Sequence, residues 1–142
     1  MTRPVTARRR AREVVFRIVY QADVTGDPLA RVWEERRGDE RLSEDQESLV
    51  TDVIGAIASR AEEVDSELER AAEHWSLARL AATDRSVLRA AVGEVLARPG
   101  TPVRVILDEA IELAKRYGSD ESVRFVNGVL DRVARALRTP EL

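Results

Sequence analysis

Apolar side chains recur along most of this chain every three or four residues, the spacing that places them on one face of an α-helix. From Arg8 to Val24 the pattern predicts a first helix, with Ala7, Ala11, Val14, Val15, Ile18 and Ala22 on one side. Gly26-Asp27-Pro28 ends it, and Leu29 to Arg37 reads as a short second helix. Ser43-Glu44-Asp45-Gln46 has the form of a capping box, opening a helix that carries Leu49, Val53, Ile54 and Ile57. Ala61, Val64, Leu68 and Ala71 share a face in the next segment, from Arg60 to Glu73, and no residue marks a firm break between the two. His74-Trp75-Ser76-Leu77 reads as a connector into a short helix with Leu77, Leu80 and Ala81. Thr83-Asp84 starts a further helix, striped by Val87, Leu88, Ala91, Val92, Val95 and Leu96. The run Arg98–Pro102 breaks the pattern. Thr101 is placed to cap the following helix, and Pro102 to occupy its first position, where a missing N–H costs nothing. Ile106, Ala110, Ile111, Leu113 and Ala114 follow, and Gly118 terminates them. Ser119 caps the last helix, with Asp120 and Glu121 well placed in its first turn. Val123, Val126, Val129, Leu130, Val133 and Leu137 form its buried stripe. The expectation is an all-α fold of about seven helices, with no convincing strand and no internal repeat.

Composition supports that reading and narrows the chemistry. A length of 142 residues suits one domain, 1–142, able to bury a real core. Apolar residues make up 44% and charged residues 35%, the balance of a soluble globular protein. Aromatics are only 4%, so aliphatic side chains and alanine must fill the interior. With no cysteine, a disulfide framework, a thiol nucleophile and thiolate-bound zinc are excluded, which suits a reducing cytoplasm. The single histidine, His74, sits beside Trp75, where a structural role is the ordinary one. No zinc-protease, phosphate-loop or dinucleotide-binding motif occurs, so the chain reads as neither an enzyme nor a cofactor-binding protein. No apolar run approaches the roughly 20 residues of a membrane span. The basic start leads into an amphipathic segment rather than a signal peptide.

Charge changes the picture most. The chain has a formal net charge of −3, yet residues 1–20 hold six arginines against one acid, Glu13. Residues 34–73 hold 14 acids against five arginines. A basic end on an acidic body suggests directed binding of a polyanion; the competing reading is that these arginines pair with the acidic segment of the same molecule. At about 100° per residue, Arg9, Arg12, Phe16 and Tyr20 lie opposite the apolar stripe of the first helix. Guanidinium groups contact phosphates and aromatic rings stack on bases, the combination used to bind single-stranded nucleic acid. Packing of Phe16 and Tyr20 against a second helical layer accounts for the same spacing. In the last helix, Phe125 and Asn127 flank the apolar stripe, while Gly128 shares an outer arc with Arg124, Arg132 and Arg135. A glycine inside a helix costs about 1 kcal/mol relative to alanine, which points to a close packing contact or to the approach of a ligand.

Several separated blocks resemble the NusB family of bacterial transcription antitermination factors. They are ARRRARE at Ala7–Glu13, DRSVLRAAVGEVL at Asp84–Leu96, DEAIELAKRYG at Asp108–Gly118 and FVNGVLD at Phe125–Asp131. The likeness runs through nearly the whole chain in order and is weakest from about Thr25 to Trp75. It implies two small helical bundles, with a basic arm and first helix over residues 3–24 and a C-terminal bundle over about 76–138. It also implies binding of the boxA element of ribosomal RNA leader transcripts, with the ribosomal protein NusE as partner in an antitermination complex with RNA polymerase. On the matching positions, Arg8, Arg9, Arg10 and Arg12 correspond to the family's RNA-binding motif. Glu121, Ser122, Phe125 and Asn127 correspond to a second RNA-proximal region, and Tyr20 and Asp84 to the NusE-facing surface. Phe16 departs from the family pattern, as an added stacking platform or a local repacking. A helical adaptor or homodimer without specific RNA binding is the alternative, and exposed Phe16 and Tyr20 would serve it equally.

Overall fold

The computed structural model describes residues 4–139, so Arg3 of the basic arm lies outside the described residues. Among them are seven α-helices and no strand: α1 (Pro4–Thr25), α2 (Leu29–Arg36), α3 (Glu44–Ser59), α4 (Ala61–Ala72), α5 (Ala82–Ala97), α6 (Val103–Tyr117) and α7 (Asp120–Leu137). A single 3₁₀ turn at Leu77–Arg79 joins α4 to α5, where the sequence suggested a short helix.

The apolar stripes build two cores. Ala11, Val14, Val15, Ile18 and Val19 of α1 meet Val32 and Trp33 of α2 and Leu49, Val50, Val53, Ile54 and Ile57 of α3. Val64 and Leu68 of α4 meet the stripes of α5, α6 and α7 in the second core. Helix α5 serves both. Leu88 and Val92 belong to the second core and Ala90 to the first, and α5 packs against α1, α3, α4, α6 and α7. A helix apolar on nearly every side can only be an interior one, and from Ser86 to Val95 only Arg89 is more than marginally exposed. Each aliphatic side chain fully buried in this way stabilises the fold by about 1.5–3 kcal/mol. Close approach is enforced at Gly93, where an added Cβ would lie 2.4 Å from Cγ1 of Ile57 on α3.

Local signals in the sequence are realised at three helix ends. The Ser43 hydroxyl accepts from Gln46 N–H at 3.2 Å, and the Gln46 side chain accepts from Ser43 N–H at 2.9 Å. The Gln46 amide also donates to the Ala7 carbonyl at 2.8 Å, tying α3 to α1. Ser119 caps α7 by accepting from Ser122 N–H at 3.1 Å, and α6 ends at Gly118.

Two expectations about helix ends are corrected. A firm break at Arg60, with φ −120° and ψ 33°, separates α3 from α4. Its reason is tertiary: the α3 stripe faces the first core and the α4 stripe the second, so one continuous helix cannot bury both. Thr101 does not cap α6. Pro102, in an extended conformation, occupies the flanking position without a side-chain hydrogen bond. Thr101 is buried, and its carbonyl accepts from Arg138 at 3.0 Å. The same guanidinium donates to the carbonyls of Val95 and Arg98, so Arg138 closes the exposed carbonyl end of α5.

An arginine-rich seam also joins the helices. Asp23 of α1 accepts from Arg85 at 2.7 Å and from Arg89 at 3.1 Å, and Arg89 reaches on to Asp65 of α4 at 2.9 Å. Arg85 further donates to the carbonyls of Leu77 and Leu80, fixing the 3₁₀ turn.

Candidate nucleic-acid interface

The four arginines that open α1 take different positions. Arg8, Arg9 and Arg10 keep 34%, 53% and 47% of their side chains exposed, whereas Arg12 keeps 7%. Each is oriented by an oxygen acceptor. Arg8 faces Asp45 at 3.4 Å. Arg9 makes a two-point contact with Glu109 of α6, Nε at 2.9 Å and Nη2 at 3.0 Å. Arg10 donates to the Glu40 carbonyl at 2.7 Å. Both readings of the basic end therefore hold in part: Asp45 and Glu40 belong to the acidic segment, yet three guanidinium groups still face solvent.

Arg12 corrects the expectation that it lies on an exposed arc. Its guanidinium is buried against Glu94 of α5, with Nη2 2.8 Å and Nε 2.9 Å from the carboxylate. Its Nη1 has no hydrogen-bond partner among the described residues. The helix is buried on two sides because α3 covers one face and α5 and α6 the other. Phe16 follows the same logic: at 3% exposure it packs in the second core, its ring 4.7 Å from that of Tyr117. It is a local repacking and not a free stacking platform.

Glu109 is itself almost buried, with 7% of its side chain exposed, so its charge is compensated by Arg9. Hydrogen bonding to Glu109, reinforced by its charge, raises the Arg9 pKa above the ordinary arginine value. Arg9 therefore stays charged and is held rigidly, with Nη1 outside the two-point contact. Lys115 and Arg116, at the basic end of α6, line the same open groove as Arg9. Arg116 pairs with Glu13 of α1. Cations from the start of α1 and the end of α6 thus meet in one groove, where Glu109, Glu112 and Glu13 pair with Arg9, Lys115 and Arg116.

Helix α7 follows directly. Glu121 and Asn127 are exposed. Ser122 is buried under the cap, its hydroxyl 3.2 Å from that of Ser119, so the expectation that it faces a ligand gives way to a structural role. Phe125 is half-buried on the second core and meets Trp75 edge-on, ring centroids 6.1 Å apart. Phe125 and Asn127 lie about 200° apart around the helix, on opposite borders of its buried stripe.

On another side, Tyr20 and Val24 are exposed apolar residues, at 38% and 60%. They line a groove with Phe16, Thr83 and Tyr117. Asp84, half-buried in the first turn of α5, follows Thr83 in the chain but does not itself line that groove.

Sequence reasoning missed Glu94, Glu109, Trp75 and Val24. Glu109 was detectable: it falls within the apolar spacing Ile106, Ala110, Leu113, where an unpaired acid would be costly. Glu94 sits likewise among Ala91, Val92 and Val95. Nothing in the spacing distinguishes Trp75 or Val24 from buried residues.

Among the described residues no helix is long and apolar enough to cross a membrane, and no cluster of acids or histidine has metal-binding geometry. Comparison with known proteins gives one consistent answer. The chain is 40% identical over 141 residues to the transcription antitermination protein NusB of Koribacter versatilis, covering 96% of this chain and 94% of that protein. It is 44% identical over 138 residues to the NusB of Anaeromyxobacter dehalogenans, covering 94% of each. Among solved structures, T. maritima NusB superposes with a TM-score of 0.87 at 37% identity, over 99% of this chain and 98% of that one. The fold is also that of a chain in the crystal structure of antitermination factors NusB and NusE in complex with dsRNA, with a TM-score of 0.83 at 24% identity over 92% of this chain and 98% of that one. The NusB family model matches residues 9–135, so this all-α chain belongs to the NusB family, whose members are transcription antitermination proteins and not enzymes.

Proposed function

We propose that this protein binds the boxA element of ribosomal RNA leader transcripts together with the ribosomal protein NusE, and works in the cytoplasm within an antitermination complex that includes RNA polymerase. The observation that carries the reading is the ridge of Arg8, Arg9 and Arg10, half-exposed and each oriented by an acceptor. Guanidinium groups fixed in this way meet a phosphate with little further loss of side-chain freedom. Arg12 serves the ridge from beneath, by anchoring α1 to Glu94. Phosphate contacts position a strand without reading it, so base contacts fall to Glu121, Phe125 and Asn127 on α7, with Ser122 holding the start of that helix. NusE takes the separate surface at Tyr20 and Asp84, where Val24 and the adjacent groove supply apolar area.

The test is a filter-binding titration with a short single-stranded boxA-like RNA across a salt series, with and without NusE. Neutralised phosphates release counterions, so affinity should fall steeply with salt, and boxA should outcompete a scrambled sequence. A helical adaptor or homodimer joined through Tyr20 and Val24 is the competing reading. It would give a flat RNA titration and a mass that rises with protein concentration.

A further inference from the structure

We propose that the outer face of α7 carries single-stranded RNA from the Asn127 border, across the bare backbone at Gly128, to a stacking platform formed by Trp75 and Phe125. The proposal rests on the RNA reading above and extends it to Trp75 and to three arginines that the reading does not use.

Three observations meet on this face. The first is Trp75. It is 56% exposed, the only large exposed apolar side chain besides Tyr20 and Val24 among the described residues. Its one ring contact is with Phe125, edge-on at 75°, and more than half of the residue stays in solvent. Phe125, half-buried on the core, fixes one border of the indole. A large, rigid aromatic surface held in water is what a base stacks upon.

The second is Gly128. A Cβ built there would meet nothing within 4 Å, so no contact among the described residues requires glycine. Glycine weakens a helix interior more than any residue except proline, yet Gly128 stands partly exposed in the middle of α7. What it provides is a clear approach to the backbone.

The third is charge. On the helix surface the neighbours of Gly128 at i−4 and i+4 are Arg124 and Arg132, with Phe125 at i−3. Arg124 is exposed and has no acidic partner within hydrogen-bond distance among the described residues. Arg132 is fixed by donating to the Ala71 carbonyl at 2.6 Å. Arg135, one turn further on, pairs with Asp131 at 3.0 Å and so neutralises that acid. Apart from that pair, the two guanidinium groups at Gly128 stand against Asp120 and Glu121, which lie at the start of the helix. A strand crossing at Gly128 would place its phosphates between Arg124 and Arg132 and its next base over Trp75.

An unpaired strand is required, since a base inside a duplex cannot reach the ring. An exposed tryptophan with arginines on the adjoining helix also differs from the Tyr20–Val24 surface, where exposed apolar residues adjoin one another as a protein partner needs.

Trp33, the second tryptophan, is 5% exposed and donates to Thr51, so an emission change caused by RNA reports Trp75. A short single-stranded boxA-like RNA is titrated into the full-length protein, and tryptophan emission is followed beside filter retention. Emission should be quenched in step with retention. Trp75→Ala should bind about tenfold more weakly, Trp75→Phe should keep most of the affinity, and both should melt with the parent. Gly128→Leu should lose affinity while raising the melting temperature. Retention without quenching, with Trp75→Ala binding as tightly as the parent, overturns the platform and leaves the arginine ridge standing. Emission that responds to NusE alone and not to RNA makes this a protein contact and overturns it too. If the parent retains no RNA, the proposed function fails, and the platform fails with it.

Discussion

Neighbouring arginines on one helix have opposite roles because burial, and not sequence position, decides what a guanidinium does. Arg9 faces solvent from a rigid carboxylate, whereas Arg12 is closed in against Glu94. Arg9→Ala is expected to weaken boxA and scrambled RNA by similar factors and to lower the salt slope by about one unit, as removal of one phosphate contact should. Arg12→Ala leaves Glu94 buried and uncompensated, so it should cost roughly 3–5 kcal/mol of stability, read by chemical denaturation. Asp23 gives a pH signature. Hydrogen bonds from Arg85, with the charges of Arg85 and Arg89, hold its carboxyl pKa below the ordinary value despite partial burial. Since the folded state has the lower pKa, the stabilisation is complete above the unfolded pKa of about 3.9 and is lost as pH falls through the folded value. Asp23→Asn should therefore melt earlier than the parent at pH 7, and the gap between the two should shrink steadily below about pH 4.

At the scale of elements, two glycines inside helices show opposite dependence on context. Gly93 lets α5 approach α3, and a Cβ there would run into Ile57. Gly93→Ala should cost about 1–3 kcal/mol through overpacking. Gly128 faces open space, so Gly128→Ala should stabilise α7 by up to about 1 kcal/mol. Paired melts of the two variants check both signs. The break at Arg60 belongs here as well: each half of the Ser43–Ala72 stretch has good helical periodicity, and only the direction of its stripe separates α3 from α4.

Across the whole molecule, α5 is the shared wall of both cores. Neither core is complete without it, so thermal unfolding should be one cooperative transition with coincident far-UV and tryptophan signals; two separated transitions would contradict the shared wall. The molecule also keeps its two proposed surfaces apart, with the arginine ridge at the start of α1 and Tyr20 and Val24 near its end. Tyr20→Ala combined with Asp84→Lys should abolish co-purification with NusE, because loss of an interface tyrosine alone costs about 2 kcal/mol or more. Helical content should be unchanged, and RNA binding by the isolated protein should fall less than after replacement of Arg8, Arg9 and Arg10.

The sequence by itself determined that the chain is helical and where most helices end, because periodicity, capping residues and Gly or Pro breaks act within a few residues of one another. Ser43, Ser119 and Gly118 mark their helix ends in the sequence as they do in the structure. The resemblance in its separated blocks also pointed to the family. Tertiary structure decided which polar groups remain available. The α1 wheel identified one apolar face, but α1 is covered on two, so Arg12 and Phe16 passed from candidate contacts to buried supports. Ser122 lost its expected role in the same way, beneath its own helix cap. Glu94 and Glu109 became partners of Arg12 and Arg9 across sequence separations of 82 and 100 residues, beyond the reach of any local pattern. Periodicity reports the side of a helix that prefers to leave water; only packing determines how many sides do.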